Sequence, residues 1–479
     1  MTASAGSRLA WLLPVAVGVV CYAVFLFAPQ VLNDPDTWWH IAAGEWMLRH
    51  GAVPRVDPFS FTFAGKPWVA HEWLAEVLMA LAYRAGGWDA VLALEGGAAA
   101  LAFGLLARHL ARWANRLAVL LLLLLALACT SPSLLVRPHI LALPALEIWT
   151  AGLLIARSRA TTPSPLLLPV MLIWVNLHGS FVFGIALAVP LALEALTTAA
   201  PDDRARVARG WGLFIVAAVI VAMASPQLWQ GLIFPFRLIR MRALPHIGEW
   251  QPTNFSEPQP IELALMALLY VALSRGVRVP ALRLLIVMGL LHLALAHARH
   301  QMLAGVVGAL ILADPLGRAL GRGDAAPDAP RNRDRRDAGW IGAGLAILLA
   351  LTVVRGLRPV VRADGAASPI PALAHVPPAL ARSPVFNDYA FGGYLIFNGI
   401  SPFVDGRADM YGDAFLAGYL RIMRPDIEAF RMAVDKYGIR WTILRTGTPI
   451  VDVLDALPGW HRLYADPAAT IHVRSADAP

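Results

Sequence analysis

Apolar residues come in long unbroken runs over most of the chain, and the runs are separated by short polar turns. Eleven of them, at about 9–28, 88–107, 117–135, 140–156, 164–176, 180–198, 211–224, 260–274, 281–297, 301–314 and 339–356, have lengths suited to crossing a bilayer as helices. A twelfth apolar stretch, from Trp73 to Tyr83, is about half a bilayer long and contains Glu76, so it is expected to be an interfacial or re-entrant helix. Parity supports that choice. With the N-terminus inside and no crossing at Trp73, the basic segments Arg108 to Arg116, Arg157 to Arg159, Arg204 to Arg209, Arg275 to Arg283 and Arg318 to Arg336 all fall inside. One extra crossing would put every one of them outside.

Beyond residue 360 the pattern changes to that of a soluble module. Val385-Phe386, Tyr394 to Phe397, Pro402 to Val404, Trp441 to Leu444 and Thr470 to Val473 read as strands, and helices are expected near Ala414 to Met423, Asp426 to Tyr437 and Ile450 to Leu457. The expected fold is mainly α: a polytopic helical membrane bundle of about eleven spans, with a C-terminal external α/β module. The expected domains are a transmembrane region over 1–360 with a first outer loop at 32–87, an inner flexible linker at 315–338 and an external domain at 361–479.

Composition agrees with the pattern, since 58% of the 479 residues are hydrophobic and 15% are charged. The formal net charge of +8 would fit a nucleic-acid binder, but the arginines sit in short loops between apolar runs, which excludes nucleic acid as a partner. Cys21 and Cys129 both lie within apolar runs, so neither a disulfide framework nor a thiolate metal site is expected. The first run is followed by Pro29-Gln30-Val31 rather than by a small-residue cleavage site, which reads as a retained anchor.

The densest candidate chemistry is Asn33-Asp34-Pro35-Asp36-Thr37-Trp38-Trp39-His40, directly after the first run. Charges at a membrane boundary must be solvated, paired or bound to ligand. Read as a helix start, Asp36 caps the first turn and His40 lies one turn further on the same face; turn chemistry and interface anchoring are the plainer alternative. Polar pairs elsewhere emerge on the same side in this topology: Arg137 with His139, His178 beside Asn176, Glu249, and Arg299 with His300. Arg137 and Arg299 run against the inward bias of basic residues and suit the oxygens of a phosphate. Arg237, Arg240 and Arg242 are equally explained by snorkelling from an interfacial helix. In the module, Asp388, Tyr389, Arg407 and Asp409 lie in glycine- and aromatic-rich stretches suited to a sugar or peptide subsite, although ordinary turns account for the glycines as well.

The layout, with Asp36-Thr37-Trp38-Trp39-His40 running on to His50-Gly51 and then Gly65-Lys66-Pro67-Trp68, resembles the GT-C class of polyprenol-dependent membrane glycosyltransferases. That class includes protein O-mannosyltransferases, lipid A aminoarabinose transferases and the catalytic subunit of oligosaccharyltransferase. Asn387-Asp388-Tyr389-Ala390-Phe391-Gly392 is similar to the Trp-Trp-Asp-Tyr-Gly segment of the last, but lacks both tryptophans, so recognition of a peptide sequon does not carry over.

The resemblance implies a polyprenyl-phosphate or pyrophosphate sugar donor and a glycan, lipid or protein acceptor. It also implies a site on the outer face of the membrane, here a bacterial inner membrane with the N-terminus cytoplasmic and the module periplasmic. Asp34 or Asp36 would serve as general base or hold a divalent metal such as Mg or Mn. His40, His71 or Glu72 would orient the acceptor or complete a metal shell. Arg137 and Arg299 would meet the phosphate, with His139, His178, Glu249, His300 and the module residues around the substrate. Two other classes fit parts of the pattern: a transporter or flippase of an anionic lipid or glycan, against which the lack of an internal repeat speaks, and a metal-dependent outer-leaflet hydrolase or phosphotransferase.

Overall fold

The computed structural model describes residues 11–321 and 335–475. In chain order its helices are α1 (Leu12–Phe27), α2 (Asp36–His50), α3 (Trp73–Trp113), α4 (Arg116–Thr130), α5 (Pro138–Ser158), α6 (Leu167–Leu177), α7 (Phe181–Thr198), α8 (Arg204–Ala222), α9 (Trp229–Ile239), α10 (Pro260–Arg275), α11 (Ala281–Ala296), α12 (Gln301–Ala319) and α13 (Arg335–Gly356). Each of the eleven expected spans falls on a helix. Among the described residues seven helices are long and apolar enough to cross a membrane, and Leu12–Phe27, Leu167–Leu177 and Ala281–Ala296 are shorter apolar helices.

Helix α3 is broken at Gly86 (φ −165°, ψ 29°) and Gly87 (φ 60°, ψ −146°), the second a conformation that glycine adopts without a Cβ penalty. The stretch from Trp73 is thereby a separate short helix ahead of the apolar one, as its length and Glu76 implied. Of the linker expected over 315–338, residues 322–334 lie outside the described residues. Residues 315–319 instead close α12 and 335–338 open α13, because the apolar period of α12 continues through Pro315-Leu316-Gly317.

The described residues form two compact units. One draws on 1–28, 92–232 and 245–359, the other on 29–91, 233–244 and 360–479. The expected boundary at 360 therefore assigns the first loop differently: that loop packs as one body with the C-terminal module. The first unit is a helical bundle in which α12 is the most buried member and is packed on α4. A Cβ on Gly305 would stand 2.6 Å from the Cβ of Cys129, so small residues set the spacing, as is common between membrane helices.

The second unit is built on a four-stranded sheet of order β1-β2-β4-β3, with β1 Val385–Asn387, β2 Trp441–Arg445, β3 Trp460–Ala465 and β4 Ala469–Arg474. Only β1 and β2 are parallel; β4 is antiparallel to both β2 and β3. Helices α14 (Ile370–Ala374), α15 (Pro378–Ala381), α16 (Gly392–Phe397), α17 (Ala408–Met423), α18 (Ile427–Tyr437) and α19 (Pro449–Ala456) complete it.

Two expected strands are not strands. Tyr394 to Phe397 belongs to α16, since a short apolar run has no period that separates a buried strand from a buried helix. Pro402 to Val404 is held by a side chain instead of a sheet, with Asn387 accepting from Phe403 N at 2.8 Å and donating to Val404 O at 2.8 Å. Strand β3, unrecognised in the sequence, pairs with β4 across the turn that Asp466 closes by accepting from Ala468 N and Ala469 N.

Candidate active site

In the second unit the functional residues gather around the start of α2. Asp34, 4% exposed, accepts the N–H of Asp36 at 2.7 Å, so Asp34 and not Asp36 satisfies an orphan donor of the first turn. Asp36 is thereby left as the first helical residue, half-buried, with its charge at the positive end of the helix. Its Oδ1 accepts the indole N–H of Trp39 at 3.0 Å. The module closes on this carboxylate through glycines: a Cβ on Gly406 would lie 1.8 Å from Asp36 Oδ1, and one on Gly393 would lie 2.5 Å from Pro35 O. Replacing Gly406 by alanine should therefore push the Asp36 carboxylate aside, reducing turnover by about tenfold or more while the purified protein still elutes as a single folded species; unchanged turnover would show that the contact is irrelevant.

Trp38 faces the other way, into an aromatic box with Trp88 (4.7 Å between centroids), Tyr394 (4.9 Å) and Phe397 (4.8 Å). The Arg362 guanidinium lies over the rings of Trp38 and Trp88 at 4.5 and 4.7 Å. Burial pulls Arg362 down to about 10, against the opposing charge of Asp34, and its Nη1 has no hydrogen-bond acceptor. No local pattern marks Arg362, Trp88, Glu76, Asp57 or Asp405 as site residues; each is brought in from an element remote in the chain.

One turn along α2, His40 Nδ1 stands 3.3 Å from Glu76 Oε1. Glu72 lies one turn before Glu76, with its Oε1 3.6 Å from His71 Nε2. One ligand atom each from His40, Glu72 and Glu76 fall within 4.8 Å of one another, a possible acidic metal site. The donor set fits a divalent cation: one imidazole and two carboxylates match Mn²⁺ or Zn²⁺ better than the all-oxygen preference of Mg²⁺. Glu76 Oε2 is buried without a hydrogen-bond partner, a costly condition for a carboxylate with no cation near it. Asp34 and Asp36, the metal ligands expected from the sequence, are not members of this group; their carboxylates engage the helix start and Trp39. Asp409, half-buried in the first turn of α17, is pushed up to about 6 by burial, with Glu72 adding and His71 and Arg407 opposing.

Arg407, expected to bind substrate, is 1% exposed and held between two carboxylates. It donates Nε to Asp405 Oδ1 at 2.8 Å, Nη2 to Asp405 Oδ2 at 2.6 Å and Nη1 to Asp57 Oδ1 at 2.7 Å, and lies over the rings of Trp68 and Phe59. The Asp388 carboxylate and the Tyr389 backbone N–H are likewise engaged within the module. Asp388 accepts from Ala390 N at 3.0 Å and from Arg445 Nε at 2.9 Å, while Tyr389 N donates to Tyr419 Oη at 2.8 Å. Arg237, Arg240 and Arg242 are exposed.

The first unit collects a second group. Glu249 takes a hydrogen bond from Arg137 Nη1 and another from Arg299 Nη1 at 2.9 Å, and Arg299 lies 4.2 Å over the Trp250 ring. His139 donates Nε2 to Ser133 O at 2.7 Å and its ring is 6.2 Å from that of His178, while His300 packs on Trp250 and Phe183. All six residues expected in this part of the chain therefore come together.

Burial alone would raise Glu249, but the guanidiniums of Arg137 and Arg299 outweigh it and hold it at about 2. A folded-state value below the ordinary one means that the clamp's contribution is complete above the normal glutamate range and is lost as pH falls toward that value. Wild-type protein should lose thermal stability on acidification from about pH 4 to about pH 2 more steeply than Glu249→Gln, compared by melting in detergent; identical slopes would exclude the linkage.

No family model matches the sequence, and no curated protein matches it. Solved structures do. ArnT from Cupriavidus metallidurans in the apo state superposes with a TM-score of 0.54 at 16% identity over 98% of this chain and 98% of that one, and ArnT bound to undecaprenyl phosphate with 0.50 at 16% over 98% and 99%. The archaeal oligosaccharyltransferase AglB from Archaeoglobus fulgidus, in complex with an inhibitory peptide and a dolichol-phosphate, superposes with 0.55 at 11% over 99% of this chain and 75% of that one. At these identities the likeness is one of fold, and the GT-C membrane fold expected from the opening loop is the fold found.

Proposed function

We propose that this protein is a membrane glycosyltransferase that moves a sugar from a polyprenyl-phosphate or pyrophosphate donor to an acceptor hydroxyl at the outer face. The observation that carries the reading is Asp36, a carboxylate fixed at a helix start by Asp34, Trp39 and Gly406, in a chain with the fold of two proteins solved with polyprenyl phosphates. Asp36 takes the proton of the acceptor hydroxyl as its oxygen attacks the anomeric carbon, and the bond from that carbon to the phosphate oxygen breaks, releasing the polyprenyl phosphate or pyrophosphate. In the helical bundle, Arg137 and Arg299 present planar forks of the kind that suit phosphate oxygens, with Glu249 fixing the direction of both guanidiniums. Purified protein given a labelled polyprenyl-phosphate sugar should release free polyprenyl phosphate in the presence of acceptor. Movement of label across proteoliposomes with its chemical form unchanged would instead identify a flippase.

His40, Glu72 and Glu76 would hold a divalent cation, which would supply positive charge against the leaving phosphate. Manganese added to metal-stripped protein should give a bound-ion EPR signal, at least tenfold weaker in affinity in Glu76→Gln, and chelation should abolish turnover that Mn²⁺ restores. Chelator-insensitive turnover together with no specific Mn²⁺ signal would remove the metal from the reading.

The orientation proposed has the N-terminus cytoplasmic and the 361–479 module outside a bacterial inner membrane, which places the exposed basic loops inside. A membrane-impermeant thiol reagent should label Lys436→Cys in intact cells and Arg206→Cys only after permeabilisation.

A further inference from the structure

Helices α5 and α12 carry Arg137 and Arg299 just ahead of their first turns, and at their opposite ends they line a second, chemically different site. A cavity of about 750 Å³ lies where the C-terminal ends of α3, α5, α7 and α12 meet the turn between α10 and α11. Its lining presents the guanidiniums of Arg157, Arg159, Arg278, Arg283 and Arg318 against the carboxylates of Glu194 and Asp314, five positive charges to two negative.

Glu194 is the organising group. It is 4% exposed, 3.0 Å from Arg157 Nη2 and 3.0 Å from Arg283 Nε, so it ties α5 and α11 to α7. Asp314 pairs with Arg318 at 3.0 Å. Both carboxylates are thus committed to guanidiniums of the lining, which as a whole holds five guanidiniums to two carboxylates. Arginine at a helix C-terminus is favoured by the helix dipole and by the inward bias of basic residues, and for one or two residues that would suffice. Here five converge from three helix ends and an interhelical turn on one concavity. Arg157 Nε is moreover buried without an acceptor, a condition that an incoming oxygen anion would relieve. The remaining wall includes Trp113, Leu154 and Leu310, so the site offers planar cationic forks beside apolar surface at the end of a membrane bundle.

We propose that this cavity binds a phosphate-bearing anion, the phosphodiester headgroup of a membrane phospholipid being the source that its mixed cationic and apolar lining favours. It is separate in residues from the arginine clamp at the other ends of the same helices. A lipid held there bridges α5, α7, α11 and α12.

The test is binding to the full-length protein in detergent, followed by native mass spectrometry with phosphatidylglycerol, phosphatidylcholine and glycerol 3-phosphate as probes. Phosphatidylglycerol is expected to be retained at least tenfold more tightly than phosphatidylcholine. That preference should be lost in Arg159→Gln/Arg278→Gln and weakened in Arg278→Gln alone, neither position being a partner of Glu194 or part of the transfer machinery. Displacement of the lipid by millimolar glycerol 3-phosphate, with the same dependence on these arginines, would assign the site to a soluble phosphate rather than a lipid. Equal retention of the anionic and zwitterionic lipids, or a preference untouched by either variant, would overturn the proposal.

Discussion

Asp36→Asn should lower the release of polyprenyl phosphate from a labelled donor by at least about a hundredfold, the lower bound for removing a general base, while donor binding stays within about twofold. Asparagine keeps the size of the side chain and an oxygen able to accept the Trp39 indole N–H that now bonds Asp36 Oδ1 at 3.0 Å. The loss therefore reports the missing basic oxygen and not a collapsed helix start. Asp34 provides the contrast. It accepts the Asp36 N–H at 2.7 Å, and losing that cap alone costs about 1 kcal/mol of local stability, so Asp34→Ala should give a smaller fall in turnover that tracks the loosening of α2. Equal losses in the two variants would show that the aspartates act as one unit, and full activity in Asp36→Asn would remove the proposed base altogether.

The parts of this arrangement that were legible in the sequence are those encoded locally. Runs of about twenty apolar residues have few alternatives to a spanning helix, and the basic turns set parity. The start of α2 was visible because Asp34-Pro35-Asp36 is itself a local signal, although the surroundings of the Asp36 carboxylate are not. Trp39 lies within the same helix, but Gly406 does not, and nothing near Asp405-Gly406 in the chain says that a carboxylate will sit where a side chain would go.

The same distinction separates local readings from what the packing adds. Arg407, in a stretch of aspartates and glycines, carries every local mark of a ligand-binding residue. Its partner Asp57 is 350 positions away, and only the tertiary pairing shows that the guanidinium is sealed. Glu76 read as an obstacle to membrane crossing, whereas the packing of α2 on α3 places it against His40; a Cβ on Gly44 would stand 2.0 Å from Glu76 O. The six residues of the first unit were found because the parity argument grouped helix ends, a property the sequence does carry.

Arg407→Ala is expected to be the most destabilising single change in the second unit, at about 3–5 kcal/mol, the range for breaking a buried ion pair from one side. The cost comes from what remains behind. Asp57 and Asp405 are 2% and 0% exposed, and without the guanidinium two carboxylates stay desolvated beside each other. They are also committed to other donors: Asp57 accepts from Phe59 N at 2.9 Å and Ser60 N at 3.1 Å, and Asp405 takes the Tyr411 hydroxyl at 2.6 Å. Asp57→Asn should cost less, because the amide oxygen retains one loop contact and Arg407 keeps Asp405. Melting of the purified variants in detergent gives the order, with wild type above Asp57→Asn and Asp57→Asn above Arg407→Ala. In the double variant Asp57→Asn/Arg407→Ala the losses should fall short of additive, since Asp57→Asn removes a charge that Arg407→Ala leaves stranded. Additive losses, or an Arg407→Ala protein that melts like wild type, would mean that the guanidinium is not what joins the opening loop to the module, and the substrate-binding role first read for Arg407 would return to consideration.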